Sequence, residues 1–266
     1  MNTQYWIDSF AASTRLNYEL ELPAQDCALP DQIREPLARS LATFQLGESG
    51  GGTRLRRYTR SIASLENLRG YRRAVDLFVA EEQSHASLLA RTVVHLRGTL
   101  LTKQWTNSIF RWMRDLVNLE FNVQVLLTAE LIAEVYFGLL ALRCSDPVVQ
   151  AVAKKLLRDE MKHLAFQRDF LFERLKTFTP ATQRAWQWQF QFIHFATAAV
   201  VSWDHRDCLR TLNVTPADFR ARAARCWQSF QFRLERRLQE SQLPTHPHPA
   251  AEPMPMPTCS SSAPIG

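Results

Sequence analysis

The chain has 266 residues, 46% of them hydrophobic, so it is long enough to bury one sizeable core. Its net charge of +6 is modest and its acidic residues are spread throughout, which excludes a polycationic nucleic-acid-binding arm. The five cysteines show no Cys-x-x-Cys spacing, and charged residues interrupt the N-terminal apolar positions. We therefore expect reduced thiols, no secretory signal and a cytoplasmic protein. The longest apolar runs, 131–142 and 192–203, are too short to span a bilayer, so we expect no membrane span.

Apolar residues recur at helical spacing along the chain and strand-like alternation is almost absent, which predicts an all-α fold. The first 30 residues carry aromatic side chains without a sustained period, and we expect them to pack irregularly. Prolines that follow Asp146, Thr179 and Thr215 mark helix starts. The last 23 residues contain seven prolines and are predicted to be disordered. The expected helices cover about residues 31–63, 68–97, 106–143, 147–176, 180–209 and 216–241.

These elements suggest four parts. An irregular N-terminal segment (1–30) precedes a unit of four helices (31–176). Two accessory helices (177–243) pack on that unit, and a proline-rich tail (244–266) follows.

Two Glu-x-x-His pairs interrupt the apolar stripes of the second and fourth predicted helices. Glu82 and His85 form the first pair, and Glu160 and His163 form the second. Residues three apart lie on one face of an α-helix, so each pair can bind one metal ion. Burying such groups without a partner costs several kcal/mol each. The repetition of one pattern on two helices therefore indicates a metal site.

A third acidic residue, Glu48, lies level with the first pair if the first two helices form an antiparallel hairpin. With a turn near residues 65–67, Glu48 is about 18 residues before the turn and Glu82 about 16 after it, so their heights match at the helical rise of about 1.5 Å per residue. Glu48 stands in a glycine-rich stretch, 47–52, and each glycine inside a helix costs about 0.8–1.0 kcal/mol relative to alanine. Whether Glu48 is helical or lies on a distorted segment stays open.

The second hairpin selects a fourth acidic residue by the same reasoning. With a turn near Ser145, Glu130 and Glu160 each lie about 15 residues from the turn. Glu134 is on the same helix face but one turn nearer the loop. We therefore choose Glu130 as a ligand and keep Glu134 as the alternative.

The order Glu, Glu-x-x-His, Glu, Glu-x-x-His resembles the ligand set of the ferritin-like di-iron carboxylate superfamily, which includes rubrerythrins, ribonucleotide reductase small subunits and aldehyde-deformylating oxygenases. The resemblance covers about residues 36–176. It implies a ferritin-like four-helix bundle with two additional C-terminal helices. The metal ligands that it implies are Glu48, Glu82, His85, Glu130, Glu160 and His163.

The resemblance also implies residues that support the ligands. Asp159 matches the aspartate that orients the histidine of the other pair, and Glu81 occupies the equivalent place before the first pair. Tyr136 is a candidate redox or hydrogen-bonding tyrosine near the metals, and a core aromatic residue is the alternative.

Two iron ions are the cofactor that this ligand set implies, with manganese or a mixed Mn/Fe pair as the alternative. The expected activity is that of an oxidase or oxygenase that uses O₂ to oxidise a small, largely apolar substrate. Electrons would come from an external donor of the ferredoxin or flavin type. The expected partners include no nucleic acid, and a homodimer is compatible with the sequence.

Two other classes of function remain open at this stage. The same centre could oxidise iron, remove peroxide or act as a di-manganese catalase. Alternatively, the chain could be a non-catalytic helical binding module in which these glutamates and histidines are structural.

Overall fold

The structure, a computed structural model, describes residues 1–18, 22–50, 52–61, 68–104 and 119–242. This part of the chain is all helical and contains no strand, which confirms the all-α class. The expected first turn (65–67), the beginning of the third predicted helix (106–118) and the proline-rich tail (244–266) lie outside the described residues. The helices are α1 (Thr3–Tyr18), α2 (Asp31–Glu48), α3 (Thr53–Ser61), α4 (Tyr71–His95), α5 (Leu119–Arg143), α6 (Pro147–Leu175), α7 (Pro180–Asp204), α8 (Arg206–Thr211) and α9 (Pro216–Gln242).

The expectation of an irregular N-terminal segment is wrong for α1. The Asn2 side chain accepts a hydrogen bond from the Tyr5 backbone N–H at 3.0 Å, as a helix-capping residue does. Trp6 and Phe10, one helical turn apart, are both buried against the body of the protein. The Trp6 indole N–H also donates to Asp169 on α6 at 3.0 Å. The helix therefore forms because one of its faces packs on the rest of the chain, which a short amphipathic segment needs.

The single helix predicted over 31–63 is also wrong, because α2 ends at Glu48 and α3 begins at Thr53. Gly52 has a backbone φ of 60°, which an L-residue with a side chain rarely adopts. A Cβ atom at this position would also overlap the side chain of Val79 on α4. The glycine-rich stretch thus breaks the helix and lets the backbone approach α4 closely.

Four helices surround a common core. α2 packs on α4, α5 packs on α6, and α4 also contacts α6. The α5–α6 turn lies at Cys144–Asp146, as the sequence predicted. There Asp146 accepts the Val149 backbone N–H at 3.0 Å and caps α6. Leu41, Leu89, Phe137 and Val152, one from each helix, line the same narrow gap in this core.

The C-terminal helices cover the outside of this core. α7 and α9 pack on each other and on α5, and α9 also contacts α6. The fifth predicted helix is divided, because α7 ends at Asp204 and the short helix α8 follows and packs on α2.

One helix among the described residues, α5, is long and apolar enough to cross a membrane, over Val123–Arg143. The expectation that every apolar run is too short is therefore wrong for this helix. Most of the stretch is buried inside the protein, as in the core helix of a soluble protein.

Candidate metal centre

The two Glu-x-x-His pairs meet inside the protein. One ligand atom from each of Glu82, His85, Glu160 and His163 lies within 4.8 Å of the others. The first pair is on α4 and the second on α6. The two imidazole rings are 5.4 Å apart between centroids. Three of the four side chains are fully buried, and Glu82 is 15% exposed.

Each histidine is held by a carboxylate from the opposite helix. His85 donates from Nε2 to Asp159 on α6 at 2.9 Å, and His163 donates from Nε2 to Glu81 on α4 at 2.8 Å. An ionised carboxylate can only accept, so both Nε2 atoms carry the proton. These are the two cross-helix contacts that the sequence led us to expect. With Nε2 bound in this way, the Nδ1 atom of each ring faces the cluster. Histidines that bind a metal through one ring nitrogen usually donate a hydrogen bond from the other nitrogen, which fixes the orientation of the ring.

Two lysines complete these supports. Lys155 pairs with Asp159, and Lys162 pairs with Glu81 at 2.7 Å. Lys162 also donates to Ser13 of α1 at 2.5 Å and lies 5.0 Å from the Phe10 ring centroid. The supporting carboxylates are therefore neutralised by lysines that lie outside the cluster.

The atoms that point into the cluster lack partners. Within the described part of the chain, five buried donor or acceptor atoms here have no hydrogen bond: Glu82 Oε1, His85 Nδ1, Glu130 Oε2, Glu160 Oε1 and His163 Nδ1. His163 Nδ1 and Glu82 Oε1 are 2.9 Å apart and form an ion pair when His163 is protonated, although neither atom has a hydrogen-bond partner of standard geometry. Buried polar atoms in folded proteins almost always have a partner. Four of the five belong to Glu82, His85, Glu160 and His163, which together could bind a metal ion.

Glu48 and Glu130 both border this cluster. Glu130 is buried on α5 and receives a long hydrogen bond of 3.5 Å from Gln167. Burial raises the pKa of Glu130 well above its ordinary value, and the charges of Glu160 and Glu82 raise it further. Glu48 is the last residue of α2, and although the residue as a whole is half-buried, its carboxyl group interacts with that of Glu82. Burial and the Glu82 charge raise the pKa of Glu48 well above its usual value.

Burial and neighbouring charges also shift the pKa values of Glu160, Glu82 and His163. Burial raises the pKa of Glu160. Burial alone would also raise the pKa of Glu82, but the positive charge of His163 outweighs it and holds the pKa at about 2. Burial lowers the pKa of His163, but the carboxylates around it, Glu82 first, raise it well above 6.5. His163 therefore carries a proton that a metal ion would have to displace.

The structure places two of the sequence candidates outside the cluster. Glu134 is half-buried and accepts a hydrogen bond from Cys226 Sγ on α9 at 3.1 Å. Tyr136 is buried against α2, where its hydroxyl lies 2.5 Å from Ser40 Oγ and its ring stacks on Phe44 at 4.1 Å. Of the two alternatives for Tyr136, the core aromatic residue fits these contacts.

Sequence reasoning missed the aromatic wall of the site. Phe78 lies edge-on to the His163 ring at 4.6 Å between centroids, and Phe10 lies 5.9 Å from it. The spacing of Trp6 and Phe10 by four residues was the available signal for α1. One helical turn from His85 and Glu160, at Leu89 and Leu156, the core gap has a mostly apolar lining and is too narrow to hold a water molecule. The site therefore lies in apolar surroundings.

Comparison with known proteins identified no relative of this chain. No protein-family model, no curated protein and no solved structure matches this chain. The function of the protein is therefore inferred from the geometry of the cluster.

Proposed function

We propose that the chain is a ferritin-like di-iron protein that uses O₂ to oxidise a small apolar organic substrate. In this proposal α2, α4, α5 and α6 are the four-helix bundle, and α7–α9 are additions to it. The ligands would be one glutamate each from α2 and α5 and one Glu-x-x-His pair each from α4 and α6, which is the ligand set of such proteins. They are Glu48, Glu82, His85, Glu130, Glu160 and His163.

The observation that carries the proposal is the set of five unpartnered ligand atoms in the core. Leaving one buried polar atom unsatisfied costs about 1–3 kcal/mol, and more if it is charged. In a binding module in which these residues were only structural, the ion pair between His163 and Glu82 would offset part of that cost and the other atoms would stay unsatisfied. Metal ions would satisfy all five atoms at once.

Charge and ligand type favour two divalent ions. Four carboxylates carry four negative charges, which two divalent cations would neutralise. Carboxylate and imidazole ligands suit iron and manganese, and among the described residues no thiolate belongs to this cluster. We favour iron, since open carboxylate-rich ferrous sites react with O₂, and keep manganese and a mixed Mn/Fe pair as alternatives.

Bound iron would supply the redox chemistry, and the chain would supply position, charge and exclusion of water. Asp159 and Glu81 would hold the Nε2 protons, so that both histidines present Nδ1 to the metals. Phe10 and Phe78 would shield the His163 side of the site from water. Reducing equivalents would come from a ferredoxin- or flavin-type partner.

One observation favours a second candidate, in which the oxidised substrate is as small as ferrous iron or peroxide. The gap at Leu89 and Leu156, one helical turn from His85 and Glu160, is too narrow for a water molecule, so an organic substrate that bound there would need movement of the core. A ferroxidase, a peroxide-removing enzyme or a di-manganese catalase would not need that space.

Oxygen uptake by iron-loaded protein tests the proposal. After anaerobic loading with ferrous iron, the wild-type protein should consume O₂ in a burst that scales with bound iron. Glu130→Ala should abolish the burst, and Glu134→Ala, one turn along α5, should keep most of it. If neither substitution changes the burst, or if Glu134→Ala alone abolishes it, the ligand assignment is wrong. Repeated turnover with excess ferrous iron and no organic substrate would favour the second candidate.

A further inference from the structure

We propose a second, mononuclear metal site at Cys27, His95 and Asp146, suited to a zinc ion and separate from the di-metal cluster. One ligand atom from each of these side chains lies within 4.8 Å of the others. They come from three parts of the chain: the segment between α1 and α2, the last residue of α4 and the residue that caps α6. The proposal does not depend on the function proposed above.

The distance between the His95 and Asp146 ligand atoms fits a tetrahedral ion. His95 Nε2 and Asp146 Oδ2 are 3.0 Å apart. Two ligands bound at about 2.0 Å with tetrahedral angles would be about 3.3 Å apart, so an ion could replace the proton between them with a small shift. The other oxygen of Asp146, Oδ1, accepts the hydrogen bond from the Val149 backbone N–H. Metal binding at Oδ2 would therefore leave the N-terminal cap of α6 in place.

Burial and accessibility also suit a metal site. Cys27 and Asp146 are buried, and the His95 side chain is 14% exposed, so an ion could enter beside His95. Cys27 is a free thiol. A thiolate and a carboxylate would neutralise a divalent cation, and the fourth position would be open to water.

The two sites differ in place and in ligand chemistry. His95 is ten residues beyond His85 on α4, about 15 Å along the helix axis. The di-metal cluster offers only carboxylate and imidazole groups, whereas this site adds a thiolate, which favours zinc over iron. Zinc here would join the α1–α2 segment to the ends of two core helices.

Cobalt spectroscopy tests the site, because a Co²⁺–thiolate bond gives a charge-transfer band that carboxylate and imidazole ligands do not give. We expect the full-length protein to show this band at one equivalent per chain and zinc to abolish it. Cys27→Ser and His95→Gln should remove or strongly weaken the band. Cys226→Ser, at the free cysteine beside Glu134, should leave it unchanged.

The proposal is overturned if the wild-type protein shows no thiolate band, or if the band survives in Cys27→Ser. Loss of the band in Cys226→Ser would also overturn it by placing the ion elsewhere. The absence of a band in the wild-type protein overturns the proposal even if a variant fails to fold. Iron content, measured in the same samples, reports on the di-metal cluster separately.

Discussion

Replacing Glu130 with glutamine should stabilise the metal-free protein and weaken the metal-loaded one. Burial raises the pKa of Glu130 well above its ordinary value of 4.5, so the folded metal-free protein keeps this group protonated up to a higher pH than the unfolded chain does. A carboxyl group whose pKa is raised by folding does not lower the free energy of unfolding while the pH is below the unfolded pKa. The free energy of unfolding falls as the pH rises from the unfolded pKa towards the folded pKa. Glutamine cannot ionise and keeps the shape of the side chain, so it avoids the loss.

The size of the effect follows from the pH difference. Between 4.5 and pH 7 there are 2.5 pH units, each worth about 1.4 kcal/mol, so the loss at pH 7 reaches at most about 3.5 kcal/mol. Glu130→Gln should recover up to that amount. At about 2–4 °C per kcal/mol, a gain of that full size would raise the melting temperature by about 7–14 °C. The Gln167 hydrogen bond can persist, because the amide oxygen of the new side chain also accepts.

Thermal unfolding of chelator-treated protein from pH 4.5 to 8 provides the assay. The gain in melting temperature should be largest at pH 7 to 8 and should vanish near pH 4.5. After iron loading the order should reverse, because the variant lacks a ligand. Glu134→Gln on the same helix serves as the control, because Glu134 contacts Cys226 and lies outside the cluster. A metal-free Glu130→Gln protein that melts at or below the wild-type temperature at pH 7 would refute the reasoning.

Three further predictions concern the supports of the site and the fold around it. Glu81→Gln and Asp159→Asn should each weaken metal binding about 10–100-fold in competition with a chromophoric chelator, because each removes the carboxylate that holds a histidine; unchanged affinities would contradict this. Iron loading at pH 7 should release protons that a pH indicator detects, since the raised pKa of His163 keeps that ring protonated without metal; no release would contradict this assignment. Gly52→Ala should lower the free energy of unfolding by about 1–3 kcal/mol in a denaturant titration, because the φ of 60° disfavours alanine and the new Cβ atom would overlap the Val79 side chain. An unchanged denaturation midpoint would contradict the close approach of the Gly52 backbone to α4.

The sequence predicted the second hairpin of the core well because both of its ends carry strong local signals. Asp146 followed by Pro147 begins α6, so the turn position was known to within a residue. Counting residues from that turn was then sufficient to choose Glu130, which the structure places by the cluster, over Glu134, which contacts Cys226. Helical rise is constant, so a known turn fixes relative height.

The first hairpin was harder because its backbone depends on tertiary contacts. The break after Glu48 arises where Gly52 packs on Val79 of α4, and no local pattern reveals that contact. Glu48 nevertheless interacts with Glu82, since α2 continues up to that residue. Helix α1 was missed because its stability comes from burying Trp6 and Phe10 on other helices, which a weak local period does not reveal.

Iron content is the most direct measurement of the central claim. Protein loaded anaerobically with ferrous iron, freed of excess metal and analysed for its elements should contain about two iron ions per chain. The double variant His85→Ala/His163→Ala should bind almost none. His194→Gln, at a buried histidine whose Nε2 contacts the Ala223 carbonyl oxygen at 3.0 Å outside the cluster, should bind as much as the wild type. Full iron content in the folded double variant, or none in the wild type, would contradict a di-iron centre.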